Sequence, residues 1–259
     1  MQTKPEPVFP FRLGAVAYLN AVPLTRDIRG KVIFAPPARI AQMLRRDELD
    51  AALVSLTEVL LTGRYDILDG IAIASRGEVY SVILAHRKPL AKAREIFCDP
   101  ASLTSVNLLK ILLAERGLKP AFPPLESYAA AREKDFVLLI GDRAIEFQRA
   151  AHPHDIFDLG AAWFELTHLP FVYAVWALRR GAASAALKQE LRRAQQSGRQ
   201  ALDRIIATGT AFDENFRRDY FKRCLRFHLG AEEKRGMAVF CERLQAHGLG
   251  PVFPPQFAA

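Results

Sequence analysis

Short apolar runs alternate along the chain with longer segments in which apolar residues recur at helical spacing. Apolar runs of roughly four to eight residues are typical of buried strands, whereas recurrence at about every third or fourth residue is typical of helices. Strands are predicted in LGAVAYL, KVIFAPP, DAALVSL, IAIAS, VYSVILAH, REIFCD, DFVLLIGD and FVYAVWALRR. Helices are predicted in ARIAQMLRRDEL, SLTSVNLLKILLAERG and DRAIEFQRAA, and over most of the chain after Ala185. Strands that alternate with helices predict parallel sheets with helices packed on their faces.

The order of these elements predicts two lobes. A first series of strands and helices is followed by a second one, and the long strand in FVYAVWALRR can return the chain to the first lobe. We therefore expect a discontinuous first lobe of residues 12–86 plus 174–259 and a second lobe of residues 87–173. Residues 1–11 contain three prolines and no apolar segment, which predicts a loose N-terminal arm rather than a signal peptide.

The cysteine count and the hydropathy narrow the class of protein. The three cysteines, Cys98, Cys224 and Cys241, are an odd number without CxxC spacing, so neither a disulfide framework nor a zinc site is expected. Three unpaired cysteines fit a protein of the reducing cytoplasm. No apolar run is long enough to span a bilayer, and we predict a cytoplasmic protein that makes no membrane contact.

The net charge is +8, and residues 188–235, with 12 Lys/Arg and 7 Asp/Glu, supply +5 of it. A basic segment can bind nucleic acid. No interleaved aromatic residues or nucleic-acid motif accompany the charge, which favours the solvated face of basic helices. We expect no nucleic-acid partner.

Polar residues cluster where the predicted strands end, which is the edge at which open α/β sheets place their ligand sites. The clusters comprise Asn20; Ser75, Gly77 and Ser81; Ser102, Thr104 and Ser105; and Gly141 with Asp142.

Three of these clusters also have a purely structural interpretation. Asn20 is either a turn residue or an amide that faces a ligand. Thr104 and Ser105 either cap a helix or, together with its free N–H groups, bind a carboxylate. Asp142 is a general base, a helix cap or a partner that orients another group, and the local pattern favours the cap.

The densest aromatic segment is WFELTHLPFVYAVWA, which contains Trp163 and Phe171. Such a segment forms either a packed core or an apolar wall for a ring-shaped ligand. His152 and His154 flank a proline in a predicted loop, and their spacing is a weak metal signal. No phosphate-binding loop, nucleophile elbow or HExxH motif is present, so we expect no metal and no organic cofactor.

Six segments, YLNAVPL, ELDAALVSL, SRGEVYSV, PASLTSVNLLKILL, IGDRAI and DLGAAWFELTHLPFVYAVWA, resemble in sequence and in order the chorismate dehydratases of the futalosine route to menaquinone. The resemblance extends from about Arg12 to Leu249. It implies an α/β fold of the periplasmic-binding-protein-like type II, with a ligand in the cleft between two α/β lobes. It also implies conversion of chorismate to 3-[(1-carboxyvinyl)oxy]benzoate and water, without a cofactor.

The resemblance suggests roles for the residues at the strand ends. Asn20 and Asp142 are the candidate catalytic residues, with either Asp142 or a carboxylate of the substrate as the proton acceptor. The candidate substrate-binding residues are Ser75, Ser81, Ser102, Thr104, Ser105, Gly141, Trp163 and Phe171. Two positions depart from the family pattern: Ala17 replaces a serine and Ser55 a proline.

Two other functions use the same fold. A solute-binding protein normally carries an export signal, and a small-molecule-sensing regulator normally carries a DNA-binding module. Neither feature is recognised in this sequence, so we expect an enzyme whose partner is the small molecule chorismate.

Overall fold

The computed structural model describes residues 10–101 and 103–259, which form two mixed β-sheets with helices packed around them. The predicted arm falls outside these residues except at positions 10 and 11. The strands are β1 (Leu13–Ala15), β2 (Val32–Phe34), β3 (Ala51–Ser55), β4 (Tyr65–Ser75), β5 (Val82–His86), β6 (Phe97–Cys98), β7 (Phe136–Ile140), β8 (Asp155–Asp158), β9 (Phe171–Arg179) and β10 (Gln256–Ala258). Every run predicted as a strand contains one.

Helices occur in all three predicted segments and after residue 185, and three further helices, Val22–Thr25, Leu56–Thr62 and Leu159–Thr167, were not predicted. The helices are α1 (Val22–Thr25), α2 (Pro37–Arg45), α3 (Leu56–Thr62), α4 (Leu103–Ala114), α5 (Gly141–Arg149), α6 (Leu159–Thr167), α7 (Ala185–Gln200), α8 (Leu202–Thr208), α9 (Glu214–Asp219) and α10 (Ala231–Ala246). Short 3₁₀ turns span Leu19–Ala21, Leu90–Lys92 and Ala129–Glu133, and a π-helical turn spans Tyr220–Cys224.

The sheets are mixed, so the prediction of parallel sheets is wrong for two strands. The larger sheet has the order β10-β4-β9-β3-β1-β2, and β9 runs antiparallel to both of its neighbours. The smaller sheet has the order β6-β7-β5-β8, with β5 antiparallel to β7 and β8. The reason is visible at the end of β4, where Ser75 pairs with Phe171 at the start of β9. The chain leaves the sheet at one end of β4 and re-enters it at the same end, so β9 must run antiparallel to β4.

The chain passes between the sheets twice, through residues 76–81 and through α6 with the turn that follows it. Strand β5, which we expected in the first lobe, pairs within the smaller sheet. Residues 171–173, expected in the second lobe, pair within the larger sheet. The predicted lobe boundaries at 86 and 173 therefore stay predictions. Judged by sheet membership, the chain passes from one sheet to the other a few residues before each of these positions.

Three further segments differ from the sequence-based expectation. Strand β1 ends at Ala15, and Asn20 lies in the 3₁₀ turn that leads into α1. The segment FKRCLRFHLG begins with the π-helical turn and then pairs through an isolated bridge between Ala74 and Arg226 instead of continuing as a helix. Strands β8 and β10 are short and of mixed polarity, so the apolar pattern did not reveal them.

The carboxylate of Asp50 joins three strands of the larger sheet. Arg12, just before β1, donates its backbone N–H at 2.9 Å and its guanidinium at 2.8 and 3.2 Å. Arg179, at the end of β9, donates at 2.9 Å. The Arg12 hydrogen bond is the largest of the effects that lower the pKa of Asp50, which is only 8% exposed.

Asp50→Asn is expected to lower the free energy of unfolding at pH 7 by about 2 kcal/mol, because hydrogen bonds to charged groups contribute about 1.5–3 kcal/mol. The folded pKa lies below the unfolded one, so this stabilisation is present above about pH 4 and is lost as the pH falls. Urea unfolding at pH 7 and pH 3 measures it. Asp66→Asn, which removes a more exposed pair with Arg180, is the control and should change stability by less than about 1 kcal/mol. An Asp50→Asn loss that is as large at pH 3 as at pH 7 would contradict this assignment.

Candidate active site

A cavity lies between the two sheets and is built from strand ends of both. The larger sheet contributes the end of β3 and the segment after β1, and the smaller sheet contributes the start of β5 and the end of β7. Because β5 and β7 are antiparallel, these two ends are neighbours, and the Gly141 N–H donates to the Ser81 carbonyl at 2.8 Å. The cavity holds about 670 Å³ of empty space, part of it open to solvent.

The lining is neutral and largely apolar. Its polar residues are Tyr18, Asn20, Ser55, Ser81, Thr104, Ser105 and Tyr173. Aliphatic side chains supply most of the remaining wall, among them Leu53, Val54, Ile73, Val79, Val82 and Ile140. Among the described residues that line the cavity, none carries a formal charge. Burial raises the pKa of Tyr18 to about 12, so this phenol is a protonated hydrogen-bond donor at neutral pH.

Five of the predicted site residues meet in this cavity: Asn20, Ser81, Thr104, Ser105 and Gly141. They come from four separate segments of the chain, and the strand-end pattern identified all of them. Ser102 lies outside the described residues. The roles of these residues stay predictions, but their convergence on one cavity is a feature of the structure.

Ser75, Trp163 and Phe171 do not line the cavity. Ser75 is 1% exposed, donates to the Gly77 carbonyl at 3.0 Å and shares a hydrogen bond of 3.0 Å with the Tyr173 hydroxyl. Trp163 and Phe171 are 0% and 1% exposed, and their ring centroids lie 5.2 Å apart in an edge-to-face contact. Both rings also pack on Phe240 of α10. Trp163 and Phe171 therefore lie in a packed core, whereas Tyr173 of the same segment lines the cavity together with aliphatic residues.

Asp142 holds the 3₁₀ turn that carries Asn20. Its two carboxylate oxygens accept the Leu19 N–H at 3.0 and 3.3 Å. Helix α5 has Ile140 at its N-cap and no side-chain cap, so the cap interpretation of Asp142 is wrong. Burial raises the pKa of Asp142. The geometry matches the third interpretation, a carboxylate that orients another part of the site.

Gly141 lets the two sheets approach each other beside Asp142. Its φ is +58°, in the left-handed region, and a Cβ at this position would lie 3.0 Å from the Tyr18 ring. Both observations favour glycine here.

The Thr104 side chain bonds to residues at the end of β3 and the start of α3 rather than capping its own helix. Its hydroxyl bonds to the Ser55 hydroxyl and accepts the Thr57 N–H at 3.0 Å. In return the Thr104 N–H donates to Ser55 Oγ at 3.1 Å. The Ser55 hydroxyl takes part in two of these three hydrogen bonds, with the Thr104 hydroxyl and with the Thr104 N–H. A proline, which the family pattern has at this position, could make neither of them. The Ser105 side chain makes no hydrogen bond with the described residues and remains available to a ligand.

Two cavity residues carry buried polar atoms that lack a partner among the described residues. Asn20 Oδ1 and Ser81 Oγ are both buried without a hydrogen bond. Buried polar groups are nearly always paired, so these two atoms are candidate contacts for a ligand in the cavity.

The sequence-based list missed Tyr18, Ser55 and Tyr173. Tyr18 stands beside Asn20 in YLN, and Tyr173 belongs to the aromatic segment. Ser55 ends a predicted strand as the chosen residues do, so the same strand-end rule identifies it. Among the described residues, no group of acidic, histidine and cysteine side chains has the arrangement of a metal site.

An α/β architecture with a cleft between two lobes is that of the periplasmic-binding-protein-like class, and solved structures of this class share the fold. A protein of Archaeoglobus fulgidus has a TM-score of 0.72 at 17% identity over 92% of this chain and 98% of its own. The alkanesulfonate-binding protein SsuA of Xanthomonas axonopodis pv. citri, bound to MOPS, has a TM-score of 0.66 at 14% identity over 93% and 94% of the two chains. The predicted fold class is confirmed.

Within this class, residues 11–246 match the model of a family described as menaquinone biosynthesis, and the chain belongs to that family. A chorismate dehydratase of Thermus thermophilus is 34% identical over 272 aligned residues, covering 96% of this chain and 98% of the relative. A chorismate dehydratase of Campylobacter jejuni is 28% identical over 61% of this chain and 58% of its own. The predicted family is confirmed. In the described part of the chain, no helix is both long and apolar enough to cross a membrane.

Proposed function

We propose that this protein is a chorismate dehydratase, a hydro-lyase that converts chorismate to 3-[(1-carboxyvinyl)oxy]benzoate and water. The observation that carries the proposal is the neutral cavity in which Asn20 and Ser81 present unpaired polar atoms. The similarity to the Thermus thermophilus enzyme, which extends over 96% of the chain, supports the same reaction. We further infer that the protein acts on free chorismate in the cytoplasm, without a nucleic-acid or membrane partner.

The reaction needs positioning more than a reactive group. A C–O bond to the ring hydroxyl and a C–H bond on the neighbouring ether-bearing carbon break, water leaves, and the ring becomes aromatic. Aromatisation provides the driving force, so the site has to align the substrate and stabilise developing charge. The aliphatic walls hold the ring, and Asn20 and Ser81 face the polar groups that change during the reaction.

One carboxylate of chorismate is proposed to bind at the start of α4. The first N–H groups of a helix have no partner within the helix and favour anions. The Thr104 N–H is already bonded to Ser55, whereas the Ser105 hydroxyl is available. We therefore assign the carboxylate contact to the Ser105 hydroxyl and to the free N–H groups of this first turn.

The proton acceptor is proposed to be a carboxylate of the substrate. Among the described residues that line the cavity there is no Asp, Glu, His or Lys. Asp142, the candidate base of the sequence analysis, directs both oxygens at the Leu19 N–H. A base must reach the proton that it removes, and this geometry favours a positioning role for Asp142.

Asp142→Asn distinguishes the two roles. An asparagine keeps one oxygen that can accept the Leu19 N–H, so we expect kcat on chorismate to stay within about fivefold of wild type. Loss of a general base typically lowers the rate by about 10²–10⁴-fold. Steady-state kinetics measure this, with Glu146→Gln on the exposed face of the same helix as control. A loss of a hundredfold at unchanged melting temperature would restore Asp142 as the base.

The function itself is tested by incubating the purified protein with chorismate and following the aromatic product by absorbance and NMR. We expect stoichiometric conversion without added metal or cofactor. Saturable binding of chorismate without conversion would instead identify a solute-binding or sensing protein of the same fold.

A further inference from the structure

A carboxylate at the end of β8 holds the segment that leads into Ser81. Asp158 accepts the Val79 N–H at 3.1 and 3.2 Å and the Tyr80 N–H at 2.7 Å. Its Oδ1 also accepts the Ala161 N–H at 2.9 Å, as the N-cap of α6. One carboxylate therefore binds both of the segments through which the chain passes between the sheets.

The segment that Asp158 holds contains a strained turn at Tyr80. The φ of Tyr80 is +65°, in the left-handed region, and the Ser81 N–H donates to the Val79 carbonyl at 2.7 Å across it. This is the hydrogen bond of a γ-turn, which is rare and strained when φ at its centre is positive. Strained backbone persists only where the surrounding structure imposes it, and such positions concentrate at functional sites.

Three contacts hold Tyr80 in this conformation. Its N–H is bonded to Asp158, and its carbonyl accepts Nε2 of Gln148 in α5 at 2.5 Å. The Tyr80 ring packs on Phe216 of α9, with the ring centroids 5.2 Å apart. Asp158 is itself fixed, because it pairs with Ile83 in the smaller sheet and caps α6.

The turn determines where the Ser81 side chain points. Ser81 directly follows Tyr80 and lines the cavity, and its Oγ is buried without a partner among the described residues. Its carbonyl is held on the other side by the Gly141 N–H at 2.8 Å. If the turn relaxes to a negative φ, the peptide before Ser81 rotates and the direction of the Cα–Cβ bond changes with it.

We propose that Asp158 is a positioning residue for the reaction, which holds the Tyr80 turn and thereby directs the Ser81 hydroxyl into the cavity. This role rests on the proposed function for the identity of the ligand. Asp158 does not line the cavity, so it affects the rate without touching the substrate. The cap on α6 is a separate contribution to stability.

Asp158→Ser separates the turn from the cap. Serine is about as good an N-cap as aspartate, so its hydroxyl keeps the Ala161 N–H, but one oxygen on a shorter side chain cannot also hold the two N–H groups of the turn. We expect kcat on chorismate, per folded enzyme, to fall by about tenfold or more, because small misplacements of a positioned group are costly.

Asp213→Ser is the matched control. Asp213 caps α9 as Asp158 caps α6, and it accepts the Phe216 N–H at 2.9 Å. This variant loses the same carboxylate at a helix start without affecting the bonds to the Tyr80 turn, and it should keep wild-type kcat. Equal kcat in the two variants would show that Asp158 is only a cap and would overturn the proposal.

The double variant Asp158→Ser with Ser81→Ala tests the route of the effect. If Asp158 acts through the Ser81 hydroxyl, the double variant is no slower than Ser81→Ala alone, because residues that act through one another are not additive. Rate losses that multiply would overturn the proposal. A Ser81→Ala enzyme with wild-type kcat would also overturn it, and that result does not require Asp158→Ser to fold.

A second readout does not depend on the reaction. In a crystal structure of Asp158→Ser, we expect the φ of Tyr80 to leave the left-handed region and Ser81 Oγ to leave the cavity wall, while the cap on α6 remains. An unchanged turn overturns the proposal even if the protein binds chorismate without converting it. Failure of wild-type turnover, by contrast, counts only against the proposed function.

Discussion

Asn20→Ala is expected to lower the turnover of chorismate at least tenfold, which corresponds to about 1.4 kcal/mol of transition-state stabilisation. The amide lies in a 3₁₀ turn held by Asp142, at the cavity wall, with its oxygen buried and unpaired. Removing the amide therefore removes a group that we assign to the substrate, and the lost Oδ1 makes no hydrogen bond with the described residues. The melting temperature should stay close to that of wild type.

The experiment combines kcat on chorismate with thermal melting of the same samples. Asn215→Ala removes an exposed amide from α9 and should change neither quantity. If Asn20→Ala melts early while its folded fraction keeps full specific activity, Asn20 is a turn residue and the catalytic assignment is wrong.

The second large effect is expected at the start of α4, from Thr104→Val combined with Ser105→Ala. A hydrogen bond to a charged group contributes about 1.5–3 kcal/mol, so loss of the Ser105 contact alone should weaken product binding about tenfold or more. Thr104→Val leaves the buried Thr57 N–H without its acceptor. That change should lower stability by about 1–3 kcal/mol, and binding falls further because the contact also joins the two sides of the cavity.

The two single variants are each other's controls. Product affinity by calorimetry should respond mainly to Ser105→Ala, and melting temperature mainly to Thr104→Val. Unchanged affinity in the double variant, together with a large loss of melting temperature, would show that this cluster is structural and that the carboxylate binds elsewhere.

Strand-end polarity predicted much of the candidate site because it depends on local features of the chain. An apolar run that ends near Asn20 or at Gly141, or that begins directly after Ser81, places a polar group at a sheet edge, whichever strands later become neighbours. Partners that come from distant segments left no such signal. Trp163 and Phe171 pack on Phe240 from the far end of the chain, so their sequence could not tell a core from a ligand wall.

Backbone geometry explains the other differences. Tyr220 lies where a π-helical turn replaces the expected continuous helix, and apolar periodicity is nearly the same in both. The reversed direction of β9 depends on the edge at which the chain re-enters the larger sheet, which the order of elements alone does not determine. Short strands such as β8, with only four residues, are too brief for their alternation to be recognised.

The bond between Leu19 and Asp142 has a consequence for how the protein folds. It joins positions 123 residues apart, and the contact between Ser55 and Thr104 joins positions 49 apart. Contacts between distant positions require closure of large loops and are slow to form. The cavity is therefore completed only after both sheets have assembled. A nascent or partly unfolded chain can contain every one of these side chains and still have no site.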